Sequence, residues 1–144
     1  MKVAIFGASG FVGTNVIEAL KATDHEIVAS DILEKPIEGT RFVKANLLKY
    51  DEVEVVVNDC DIVIHLAASP LNVSVEKPRL NAQINIDGTL NIMDASREHG
   101  IKKVIFSSAS SLVGEVRYNP VDEKHPCTPK TPYGVAKYAI EHYL

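Results

Sequence analysis

Four short runs of apolar, often β-branched residues punctuate this chain: VAIF at 3–6, EIVAS at 26–30, DIVIHLAA at 61–68 and KVIFSS at 103–108. RFVKA at 41–45 is a weaker fifth. None shows the strict apolar/polar alternation of a strand with one wet face. Such runs suit strands covered on both sides, as in a parallel sheet. Helical spacing fills the gaps. Phe11 to Ala22 carries Val12, Val16, Ile17 and Leu20, and Tyr50 to Asn58 carries Val53, Val56 and Val57. Asn81 to His99 carries Ile84, Ile86, Leu90, Ile92, Met93 and Ala95, with Gly100 as a stop. Pro132 to Leu144 opens with a proline where a helix needs no amide, then continues with Val135, Ala136, Ala139, Ile140 and Tyr143. Strand and helix patterns thus alternate five times. That alternation predicts right-handed βαβ crossovers and a doubly wound parallel sheet in three α/β/α layers.

The 144 residues suffice for one domain with a real core and are too few for two, so the expectation is a single domain over 1–144. The one long irregular stretch, Gly114 to Thr131, contains Pro120, Pro126 and Pro129 and reads as a functional or mobile loop. A formal net charge of -4 argues against a protein that coats nucleic acid, which needs clustered positive charge. No stretch approaches the roughly 20 apolar residues of a membrane span, and a strand-like run follows Lys2 directly, without a signal region. Cys60, at a helix-to-strand junction, and Cys127, in a loop, match no metal or redox spacing and read as reduced thiols of a cytoplasmic protein. The histidines at 25, 65, 99, 125 and 142 pair with no other ligand at metal spacing, so no metal is expected. His99 suits a helix C-terminus. His125 receives no chemical role, and Lys102 and Lys103 read as a solvated strand start.

GASGFVG at 7–13 sits where the first strand hands over to the first helix. Gly7 permits a tight turn. Gly10 lets the backbone approach a pyrophosphate, and Gly13 lets helix and strand pack closely. Amides at the helix start then face the phosphates, and the helix dipole favours negative charge there. Asp31 ends the second strand, where a carboxylate accepts hydrogen bonds from the adenosine ribose and repels a 2′-phosphate, favouring NAD over NADP. Near the other end, TPYGVAKYAIEHYL places Tyr133 and Lys137 one helical turn apart on a shared face. A phenol near pKa 10 is a poor base, and a neighbouring ammonium is expected to favour the phenolate. Such a tyrosine can move a hydroxyl proton while hydride passes to a nicotinamide. Tyrosine and lysine at that spacing are also common on solvated helices, and Tyr138 and Tyr143 lie in the same segment.

Taken together, these residues resemble the extended short-chain dehydrogenase/reductase family, and within it the NAD-dependent epimerases and dehydratases related to UDP-glucose 4-epimerase. The likeness runs in order through GASGFVG, Asp31, Asn46-Leu47, HLAA at 65–68, NIDGTLNIMDAS at 85–96, VIFSSASS at 104–111 and PYGVAK at 132–137. It implies a Rossmann-like domain with NAD as cofactor, a nucleotide-linked sugar as substrate and a homodimer, the dimer forming through the helices at Asn81–His99 and Tyr133–Leu144. By position, Gly7, Gly10, Phe11, Val12 and Gly13 would hold the pyrophosphate. Asp31 and Ile32 would flank the adenosine ribose, and Asn46 and Leu47 would lie beside adenine, with Asn46 standing where the family usually has aspartate. Leu66, Ala67 and Ala68 would line the cofactor cleft, and Asn85 would interrupt the long helix. Tyr133 would be the acid/base, and Lys137 would bind the nicotinamide ribose and tune the tyrosine.

Two departures stand out. The family's Ser or Thr for the reacting hydroxyl falls on Ala109, and a usual tyrosine is Val113. Ser110 and Ser111, which related enzymes use on substrate, take that place in the expectation; the alternative is a serine-rich strand end bonding its own backbone. Family members also run about twice this length, so the expectation is a chain lacking the C-terminal substrate domain. Three functions follow: epimerase or dehydratase, a non-catalytic dinucleotide-binding module, or an NAD(P)-dependent carbonyl or sugar reductase on the same scaffold.

Overall fold

A computed structural model describes residues 1–144. The chain divides into two compact units, Met1–Ala68 with Gly88–Ser107, and Ser69–Asp87 with Ser108–Leu144.

The first unit holds every strand: β1 (Lys2–Phe6), β2 (Glu26–Asp31), β3 (Arg41–Lys44), β4 (Ile62–His65) and β5 (Lys103–Phe106). They form one five-stranded sheet in the order β3-β2-β1-β4-β5, and every neighbouring pair is parallel. That order is the Rossmann-type, doubly wound arrangement. The central strand explains the unbroken apolar runs. Val3 and Ile5 enter one cluster, with Ile17, Val16 and Leu20 of α1 (Phe11–Lys21). Ala4 and Phe6 enter the other, with Val53, Val56 and Val57 of α2 (Tyr50–Val57) and Ile92 and Ala95 of α5 (Gly88–Glu98). Both faces are therefore covered, as the three-layer expectation requires.

Alternation is less complete than the sequence implies. No helix links β2 to β3; residues 32–40 run irregularly, through Pro36 and Gly39. The apolar run at 61–68 is strand only over Ile62–His65, and Leu66, Ala67 and Ala68 leave the sheet. Two loose ends prove tied. Lys102 is paired with Asp61 rather than simply solvated. His99, at the end of α5, reaches Glu54 of α2 at 3.1 Å. Cys60 is buried at the α2-to-β4 turn, and both cysteines are free thiols.

The second unit contains α3 (Leu71–Glu76), α4 (Pro78–Ala82), a π-helical turn at Gln83–Asp87, a 3₁₀ turn at Ser110–Leu112 and α6 (Pro132–Tyr143). The helix expected over 81–99 thus starts earlier, at Pro78, and changes winding at Asn85, while α3 is an addition. α6 packs on α3, α4, the π turn and the 3₁₀ turn. Thr131 caps α6, its hydroxyl oxygen accepting the Gly134 N–H at 3.1 Å. The 114–131 stretch is irregular as expected, yet it has internal order, and His125 supplies it. No helix is long and apolar enough to cross a membrane.

Candidate functional site

β1 ends at Phe6, and Gly7 turns the chain with φ +81°, a region that side-chain-bearing residues avoid. The Gly7 and Ala8 N–H groups donate to the Ser30 carbonyl at 2.9 and 3.0 Å, fixing the turn against β2. There is no room for larger residues. A Cβ on Gly7 would lie 2.6 Å from the Ala67 nitrogen, and one on Gly13 would lie 2.2 Å from the Gly7 oxygen. Gly10 is the N-cap of α1 and makes no side-chain cap. The amides of Phe11, Val12 and Gly13 stand at the first helical positions, which have no acceptor within the helix. Phe11 is 87% exposed and Val12 is exposed beside it.

Asp31 has a structural task as well as the expected one. Its Oδ2 accepts the Ser9 N–H at 3.0 Å, and its Oδ1 accepts the Leu33 N–H at 3.2 Å. The carboxylate therefore pins the glycine turn, and each oxygen keeps a lone pair for a further donor. Ile32 is exposed beyond it. Asn46 uses its Oδ1 to accept the Leu48 N–H at 3.0 Å, and its own N–H donates to Glu52 Oε2 at 2.8 Å. Leu47 is buried in the core cluster, its carbonyl accepting the Asn91 amide at 2.7 Å. Ile32, Lys44, Ala45, Asn46, Lys49 and Glu52 line a concavity beside these residues. Lys44, Lys49 and Glu52 carry no sequence signal for it, because only strand register and the following turn bring them there. The Lys49 hydrogen bond, then the Asn46 amide, hold the Glu52 carboxyl below the usual range. Leu66 and Ala67 are half-buried at the end of β4, with Leu66 N–H on the Phe6 carbonyl at 2.9 Å, and Ala68 is exposed.

In the second unit, Asn85 lies in the π turn and is 4% exposed. Its Oδ1 accepts the Ser69 N–H at 2.7 Å, and its Nδ2 donates to the Ser69 carbonyl at 3.0 Å, so one side-chain amide grips one residue's backbone. Asn81 adds a second donor to the Ser69 carbonyl at 2.9 Å. Two amide side chains one turn apart were the available sequence signal for this clamp. Tyr133 and Lys137 share a face of α6 as expected, with Lys137 Nζ 5.8 Å from the Tyr133 ring centroid. Lys137 is only 3% exposed. Burial lowers its ammonium pKa to about 8, and burial also pushes the Tyr133 phenol up. Burial thus moves the phenol in the direction opposite to the effect expected of Lys137, whose ammonium faces the ring. Ser110 and Ser111 lie in the 3₁₀ turn rather than at a strand end, since β5 stops at Phe106. The Ser111 carbonyl fills the space beside Gly134, 2.5 Å from where a Cβ would be. Ser110 is exposed, while Ser111 Oγ is buried and makes no hydrogen bond. The first unit thus gathers the glycine turn, Asp31, Ile32, Asn46, Leu47 and Leu66–Ala68. The second gathers Asn85, Ser110, Ser111, Tyr133 and Lys137.

Known proteins share this fold. A UDP-glucose 4-epimerase of Mycolicibacterium smegmatis is 31% identical over 100% of this chain and 50% of its own. The crystal structure of a Thermus thermophilus UDP-glucose 4-epimerase in complex with NAD superposes with a TM-score of 0.92 at 33% identity, covering 99% of this chain and 49% of that one. A Thermotoga maritima UDP-glucose 4-epimerase with UDP-glucose gives 0.93 at 29% identity, over 99% of this chain and 50% of that one. The chain spans about half the length of these relatives. Residues 3–144, from the first strand through the tyrosine helix, match one family throughout, and the chain belongs to it: the NAD dependent epimerase/dehydratase family.

Proposed function

We propose that this chain holds NAD and takes part in epimerising or dehydrating a nucleotide-linked sugar by transient hydride transfer. The observation that carries the reading is the glycine turn. Its cramped packing leaves the Phe11, Val12 and Gly13 amides at an uncapped helix start, the fit a diphosphate requires. Gly7, Gly10, Phe11, Val12 and Gly13 would hold the pyrophosphate, and Asp31 with Ile32 the adenosine ribose. Asn46 would border adenine through its amide group, and Leu47 would support that wall from within the core. Leu66, Ala67 and Ala68 would form the cleft wall, and Asn85 would fix the backbone that follows it.

NAD, when bound, supplies the hydride acceptor and donor. Tyr133 takes the proton from the sugar hydroxyl and later returns it. Burial alone pushes its phenol up, toward the protonated form; the positive charge of an oxidised nicotinamide would favour the phenolate that takes the sugar proton. Lys137 is the chain's own positive charge on that helix face and orients the ring. Ser110 would offer its exposed hydroxyl to the substrate in place of the group absent at Ala109, and Ser111, whose hydroxyl is buried, would join it only by turning outward. The assembly is a homodimer in the cytoplasm, for which the exposed Val135 and Tyr143 of α6 offer apolar surface.

Calorimetry with NAD and turnover of UDP-glucose test the reading. Gly13→Ala is expected to abolish NAD binding. Tyr133→Phe is expected to keep binding and lose about 10²–10⁴-fold in kcat. Full activity in Tyr133→Phe would remove the acid/base assignment. Ala109 favours the second reading, a non-catalytic dinucleotide-binding module, which predicts NAD binding without turnover. Net consumption of reduced cofactor would instead indicate a carbonyl or sugar reductase, since an epimerase regenerates its cofactor each cycle.

A further inference from the structure

The long loop of the second unit is organised around one imidazole. Every residue from 114 to 124 is exposed, yet His125 is 5% exposed. Both ring nitrogens are engaged. The Arg117 N–H donates to Nε2 at 2.9 Å, and Nδ1 lies 2.9 Å from the Pro126 carbonyl oxygen. An amide N–H only donates and a carbonyl only accepts. The ring must therefore carry its proton on Nδ1 and leave Nε2 bare. The rest of the loop reinforces this closure. Tyr118 packs on the imidazole with ring centroids 4.7 Å apart, and its hydroxyl donates to Asp122 Oδ1 at 2.7 Å. The Lys124 N–H reaches the same oxygen at 3.1 Å, and the His125 N–H donates to the Asp122 carbonyl at 3.1 Å. Farther along, the Thr128 N–H and hydroxyl both donate to the Val113 carbonyl at 3.2 Å.

We infer that His125 is a proton-controlled latch: neutral, it closes the loop onto the Arg117 amide; protonated, it releases the 114–131 segment. A second ring proton has to enter at Nε2, where it meets the Arg117 N–H head-on. Two donors then face each other without an acceptor, and a charge is buried with them. The charged groups around the ring leave that clash in place. The Asp122 carboxylate keeps its negative charge, which favours a ring proton, but its Oδ1 holds the Tyr118 hydroxyl and the Lys124 amide, and the partner of Nε2 is the Arg117 amide. The Arg117 and Lys124 side chains are cations, which oppose a further positive charge. Glu115 is paired with Lys130 at 3.1 Å, and the Cys127 thiol points at the His125 carbonyl, 3.9 Å away. The loop runs on into Thr131, the cap of the helix that carries Tyr133, so its release loosens that helix start. This last consequence rests on the proposed function; the latch itself does not.

The test uses the full chain labelled with ¹⁵N. Imidazole nitrogen shifts report the tautomer, and hydrogen exchange at the Arg117 amide reports closure, from about pH 8 to about pH 5. The comparison is His125→Gln, whose Oε1 accepts the Arg117 N–H and does not titrate. The expected result is an Nδ1–H tautomer at the alkaline end. As the wild-type ring takes up its proton, the Arg117 protection factor then falls about tenfold per pH unit. Val63 in the sheet stays protected, and His125→Gln shows no such fall. An Nε2–H tautomer overturns the inference, and that measurement decides even if the variant does not fold. So does protection that survives protonation of the ring, an equal loss in the glutamine variant, or a ring that stays neutral until the whole chain unfolds. No turnover is measured, so a failure of the epimerase reading leaves this result intact.

Discussion

The two units are built from different materials. Both buried apolar clusters draw only on the first unit, whose central strand is apolar from Val3 to Phe6. The second unit buries Leu112, Ala136 and Ile140 outside both clusters and adds polar grips: Asn81 and Asn85 on Ser69, Thr131 on Gly134, and His125 on Arg117. It leaves Leu71, Val75, Leu80 and Val135 exposed. The contrast separates two ways of making a site. In the first unit a ligand-holding turn is cut from backbone and the space left by missing side chains, with the Asp31 carboxylate as its titratable tie. In the second, position depends on amides, hydroxyls and titratable groups, which solvent conditions and single substitutions can change.

Four comparisons probe that contrast, in order of expected effect. Ile92→Ala, a cavity in the larger cluster, should lower the unfolding free energy by about 2–5 kcal/mol, whereas Leu80→Ala in the second unit should cost no more than about 0.5 kcal/mol. Equal losses in urea titrations would erase the distinction. Lys137→Met should stabilise by up to about 3 kcal/mol at neutral pH. The sign follows from burial. The folded chain holds this ammonium with a pKa of about 8 against an ordinary 10.5. Between those values the unfolded chain binds more protons, so stability rises with pH there, and the full penalty applies below about 8. The advantage of methionine should therefore fade on approaching the ordinary lysine range. An advantage independent of pH would assign it to packing. Asn85→Ala strips the Ser69 N–H of its acceptor and should cost about 1–3 kcal/mol, with faster hydrogen exchange at Ser69 as the local sign. Thr131→Ala removes the α6 cap and should cost about 1 kcal/mol, read as a small drop in thermal midpoint that Thr131→Ser restores.

The same contrast explains what could be read in advance. The strands were legible because two-sided burial leaves an unbroken apolar run, and the glycine turn because backbone sterics are local. The connection at 32–40 had its warnings in Pro36 and Gly39, but the five-fold alternation hid them. α3 is one and a half turns after Pro70, too short for periodicity to register. The π turn depends on Asn85 finding the Ser69 peptide, a contact between segments that no local pattern encodes. Lys137 was readable as a partner of Tyr133, but its burial was not, since lysine ordinarily keeps its charge in water. Asn46 was marked by its place in the family pattern, whereas the turn that occupies its Oδ1 comes from the backbone at Leu48. His125 lay in a proline-rich stretch whose sequence gave no period at all.

The sheet's two outer strands differ in one more respect. β3 carries Arg41 and Lys44, while β5 has Lys103 followed by Val104, Ile105 and Phe106, with Ile105 44% exposed. An outer strand with apolar side chains is a template on which another chain can add a ribbon. The sheet is therefore prepared to grow past β5, whichever segment supplies the next strand, and is closed to growth past β3, where a newcomer would meet two cations.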